Sequence, residues 1–161
     1  MDGTITKMHI YVDFQKLAGE ANLDDKTLLA TDYLNHFNEV VMLLQMVPDI
    51  PEIMAEAKTW RLLFYTKHFA HNSFSAREIA IAAYDHVLGR YKTPFEQTVG
   101  QLGSLIAYAI EKLDEAIAAG EPQRLRILAA ESAQNIQRLM DVASGIIDGI
   151  EKPWINQRTI L

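Results

Sequence analysis

The chain has 161 residues, of which 49% are hydrophobic and 22% charged, with a formal net charge of −6 and no cysteine. That length suits one domain able to bury roughly 70% of its unfolded surface without a covalent staple. The missing cysteine excludes a disulfide framework, a thiolate-held metal and a thiol nucleophile, and the negative charge opposes a nucleic-acid footprint.

Charge is spread evenly, with 7 basic and 11 acidic residues up to Ala80 and 8 basic and 10 acidic residues after it. No charged tail or steering patch follows from that. The longest uncharged stretches are nine residues between Glu39 and Asp49 and fourteen between Glu96 and Glu111. Both fall short of the roughly 20 apolar residues of a bilayer span. The opening Met1–Lys7 lacks the basic-then-apolar pattern of a leader. The expectation is a cytoplasmic protein with no membrane span.

Residues 1–23 read as an N-terminal arm. Met8, Ile10, Val12 and Phe14 alternate as in a strand, yet no second strand pattern follows, so an extended arm and a short helix running through Gln15–Ala18 both fit. From Asp24 the period turns helical. Asp24 or Asp25 supplies a cap, and Leu29, Tyr33, Phe37, Val40 and Leu44 form one stripe of a helix over 26–47. Pro48 stops it. Pro51, at a favoured first position, opens a second helix to about Leu63.

Residues 60–74 hold Trp60, Phe64, Tyr65, Phe69 and Phe74 without a clean period, and read as an aromatic-rich connection. Ser75 and Glu78 make a capping box for a helix over 76–88, with Gly89 as its stop. Thr93, Pro94 and Glu96 signal another start. Phe95, Val99, Leu102, Ile106, Ala109, Leu113 and Ile117 then form a near-heptad seam up to Gly120. After Pro122 the seam continues as Leu125, Leu128, Ser132, Ile136, Leu139, Ala143, Ile146 and Ile150. Two helices of about 26 residues joined by Gly120-Glu121-Pro122 must run antiparallel. The expected fold is an all-α bundle of about five helices in a single domain over 1–161. A long C-terminal αα-hairpin forms its spine, and residues 150–161 form a tail.

Four of the five histidines lie between residues 36 and 86. Asp32, His36 and Glu39 share about 60° of helix arc. His68 and His71 stand three apart, and Asp85 adjoins His86. Bundle metal centres are built from inward-facing imidazoles and carboxylates, so His36, Glu39, His68, His71, Asp85 and His86 are the candidate ligands for iron, manganese or zinc. The order His36-x-x-Glu39 reverses the Glu-x-x-His element of ferritin-like di-iron bundles, which this chain lacks. The competing expectation is that these groups are surface residues or bind loop backbone that no helix satisfies.

Nucleophilic catalysis has little support, since no Gly-x-Ser-x-Gly elbow is present. Phosphotransfer through His36 is opposed by Asp32 and Glu39 beside it. The leading expectation is therefore a non-catalytic helical interaction or regulatory module. It would need no cofactor, and its partner would be another protein or itself, as a homodimer. The alternative is a metal-binding bundle with oxidoreductase or hydrolase activity.

Overall fold

The computed structural model describes residues 3–71 and 77–150. The fold is all-α, and no strand occurs among the described residues. Among the described residues seven α-helices follow in order: α1 (Gly3–Leu17), α2 (Asn35–Met46), α3 (Met54–Ala57), α4 (Tyr65–Ala70), α5 (Arg77–Tyr84), α6 (Gly89–Ala118) and α7 (Pro122–Ile147). Short 3-10 turns at Thr31–Leu34 and Pro51–Ile53 lead into α2 and α3.

α6 and α7 make the most extensive packing in the molecule. Gly120, at φ +66°, turns the chain between them, and the Glu121 N–H donates to the Ala116 carbonyl to close the end of α6. Only glycine adopts that φ without strain. α2 lies along α7, α3 along α6, and α4 with α5 packs near α1. One apolar core runs through all of them, centred on Tyr33, Phe37, Leu44, Phe95, Leu102, Ile106, Leu113 and Ile136.

Several expected boundaries move, each for a local reason. The arm is the helical alternative, beginning at Gly3. Asp24 does form a cap-like turn, accepting from the Lys26 and Thr27 N–H groups at 2.8 and 3.0 Å. The helix does not continue, because Leu28 takes φ 62° and its neighbours Thr27, Leu29 and Ala30 are buried as a loop. The helical period there came from a buried loop that ends under α7, where Thr27 Oγ1 donates to the Ile147 carbonyl at 2.6 Å. The helix expected to reach Leu63 stops at Ala57.

Gly89 starts α6 where it was expected to stop α5, and Pro94 lies inside α6. At this sixth residue of α6 the proline forfeits the bond to the Arg90 carbonyl, and its ring crowds that carbonyl. The Pro94 carbonyl itself accepts from Thr98 Oγ1 at 2.8 Å. Ser75 lies outside the described residues, as does the tail from residue 151.

The seam of α6 is as expected through Leu113, with Ile117 partly buried. That of α7 is rotated. Ala129, Ala133 and Met140 are buried, while Leu128, Ser132 and Leu139 are only partly so. Alanines on that side let α7 approach α2 closely, and a heptad template that favours large aliphatics misses this. Ile136→Ala should therefore cost about 2–5 kcal/mol, as a fully buried side chain leaving a cavity. Leu139→Ala should cost about 1–2 kcal/mol, since part of its surface already meets water. Urea denaturation of both variants measures the difference, and equal midpoints would place the seam elsewhere.

Candidate functional site

After the last turn bonds of Lys58, Thr59 and Trp60, residues 61–64 run beside α6 outside any helix, and the partly buried backbone of Leu63 needs other partners. α2 supplies one. His36, in the first turn of α2 and 7% exposed, accepts the Leu63 N–H at Nε2 over 3.0 Å. Its ring also hydrogen-bonds the Arg61 backbone. Trp60 returns the contact: its Nε1–H donates to the His36 carbonyl at 3.0 Å, and its indole stacks on the imidazole at 4.7 Å. Tyr33 Oη donates to the Leu63 carbonyl at 2.6 Å.

Tyr33 is the hub of the ring cluster around this joint. Its centroid lies 5.3 Å from Phe37 and from Tyr65, 5.4 Å from His68 and 5.8 Å from Phe95. Such edge-on and tilted pairs contribute about 0.5–1.5 kcal/mol each beyond burial. Tyr65 Oη accepts the Ala30 N–H at 2.9 Å, serving the other buried loop. Burial pushes the phenols of Tyr33 and Tyr65 well above the ordinary tyrosine range, so both keep their protons.

The structure brings two of the six candidate ligands together. The rings of His36 and His68 lie 6.0 Å apart, and His68 Nε2 sits 3.3 Å from Asp32 Oδ2. Glu39 is exposed on α2, and His71 is exposed at the end of α4. Asp85 is exposed beyond α5, and His86 stacks on Phe14 of α1 at 5.2 Å. Among the described residues no three His, Asp or Glu side chains gather as an ion would require. An ion seated on His36 Nε2 would have to displace the Leu63 N–H. Of these histidines His36 supports non-helical backbone, while His68 lies against Asp32 and His86 against Phe14. Tyr33 and Trp60 were not singled out with the histidines, because their role depends on a loop that the sequence pattern continued as helix.

Comparison of the chain with protein-family models, with curated proteins and with solved structures finds no match.

Burial lowers the His36 pKa below the ordinary 6.5; the Arg61 backbone bond opposes this, the nearby His68 adds to it, and Glu39 opposes it. The folded state thus favours the neutral ring. Above about pH 6.5 both folded and unfolded chains hold it neutral, and its contribution to stability is complete. As pH falls through 6.5 the unfolded chain takes up a proton that the folded chain refuses, so stability is lost on acidification. Gln at this position keeps an acceptor for Leu63 without titrating. Melting temperatures measured from pH 7 to pH 5 should therefore fall more steeply for the native chain than for His36→Gln. Parallel curves would remove His36 as the source of the acid sensitivity.

Proposed function

We propose that the protein is a non-catalytic interaction module that acts as a homodimer through the outer face of α7. The supporting observation is a self-complementary stripe. Leu128, Glu131, Asn135, Arg138 and Val142 fall within about 80° of arc on that helix. Glu131, Asn135 and Arg138 are exposed, and Leu128 and Val142 are half-buried. Read from either end, the stripe runs apolar, charged, amide, charged, apolar, with the two charges opposite in sign.

Glu131 and Arg138 stand about 10 Å apart along the helix, too far to pair with each other. Among the described residues neither has an ion-pair partner in the chain, and Arg138 Nη1 donates only to Asn135 Oδ1, at 3.1 Å. An antiparallel two-fold centred on Asn135 solves both charges at once. Glu131 then meets the partner's Arg138, Arg138 meets the partner's Glu131, and Leu128 packs on the partner's Val142. A two-fold interface must be self-complementary in this way. Ile127, 59% exposed, adds apolar surface at each end. The two ion pairs set register and orientation, and the aliphatic ends supply most of the affinity.

Light scattering at micromolar concentration should give a mass near twice 18.2 kDa. Glu131→Arg alone sets like charges against each other and should yield monomer. The exchanged pair Glu131→Arg with Arg138→Glu should restore the dimer. A monomeric native chain, or a dimer indifferent to the single reversal, would overturn this assignment.

A further inference from the structure

A groove of about 520 Å³ runs between the 58–62 segment and one flank of α6. Its size lies within the range of small-molecule sites. The floor is α6 from Gly100 to Ile110, about 15 Å of helix. Trp60 and Leu62 form the opposite wall, and Lys58 and Arg61 stand on the rim. The segment seats closely because Gly103 has no side chain: a Cβ there would come within 2.8 Å of Leu62 Cδ2. At Gly100, by contrast, a Cβ would meet nothing within 4 Å, so the groove is open above it.

The two rim cations differ. Lys58 pairs with Asp114 at 2.8 Å. Arg61 has no carboxylate partner among the described residues. Its Nη1 instead donates to the Lys58 and Trp60 carbonyls at 2.7 and 2.9 Å. Two backbone acceptors therefore hold an exposed guanidinium in one place while its other donors stay unused. A fixed guanidinium is suited to a carboxylate, which it binds in the plane of its fork. A side chain ordered in advance also loses little entropy on binding. The trough beside it is open and mostly apolar, with an aromatic wall at Trp60.

We infer that this groove is a binding site for a free apolar monocarboxylate, with its chain along the Gly100–Ile110 flank of α6 and its carboxylate on Arg61. Lys58 keeps Asp114 neutralised, so no acidic group on the rim competes for Arg61. The site is separate from the outer stripe of α7 and does not depend on dimerisation.

Trp60 reports the site directly. The chain has two tryptophans, and Trp154→Phe leaves Trp60 as the sole indole. Titration of that variant with decanoate, below its micelle concentration, should give a saturable change in emission. Arg61→Gln should weaken the apparent affinity at least fivefold, while decanol, which lacks the charge, should bind equally to both proteins. Gly100→Leu fills the open space and should abolish saturation. It replaces a helical glycine with a better helix former, so its circular dichroism and melting temperature should be at least those of the parent. No saturable change with decanoate would overturn the inference. So would an affinity unmoved by both Arg61→Gln and Gly100→Leu.

Discussion

The structure depends on one requirement: buried backbone that is not helical must still be hydrogen-bonded. One such stretch, residues 27–30, is buried, and a second, around Leu63, is partly buried beside α2. Side chains from the helices and loops around them meet their polar groups. Tyr65 receives the Ala30 N–H, His36 receives the Leu63 N–H, and Tyr33 holds the Leu63 carbonyl. Each bond contributes modestly when made, yet leaving its buried partner unsatisfied costs about 1–3 kcal/mol. No buried side-chain nitrogen or oxygen among the described residues lacks a partner. The aromatic cluster around Tyr33 is thus a joint that fixes where the short helices sit on the long hairpin.

That joint also shapes the surface. Because the 58–62 segment is held away from helical geometry, it lies as a wall beside α6, with Leu62 over Gly103. The same turn of chain brings the Arg61 guanidinium back onto the Lys58 and Trp60 carbonyls. A continuous helix through residues 58–64 would have occupied those carbonyls with its own N–H groups, leaving neither wall nor anchored cation. On the far side, α7 offers its alanines to α2 and its charged stripe outward, so the hairpin is apolar inside and self-complementary outside.

The all-α class, α6 and α7, their three-residue link and most of the α6 seam were legible, because long amphipathic periods bounded by Gly120 and Pro122 carry a strong signal. The short elements were not. Leu29 and Tyr33 keep a helical spacing, yet Leu28, immediately before them, takes a left-handed φ that only tertiary packing sustains. Pro94 signalled a helix start but lies at the sixth residue of α6, which continues past it. The histidines stood out as a chemical pattern, although His36 and His68 meet over a backbone joint and His86 packs on Phe14. Arg61 carried a fainter signal. Positions 57, 58, 64 and 65 hold Ala, Lys, Phe and Tyr, so no acid stands at helical pairing distance from it.

The central claim is that His36 is a neutral acceptor, built into the fold to hold the Leu63 backbone. Nitrogen-15 spectroscopy of the labelled imidazole reads this directly, since it distinguishes the two tautomers from the cation. The account predicts that the neutral His36 carries its proton on Nδ1, with Nε2 bare, and takes up a second proton only at a lower pH than a free histidine. A titration at or above the free value, or a proton on Nε2 in the neutral ring, would contradict it.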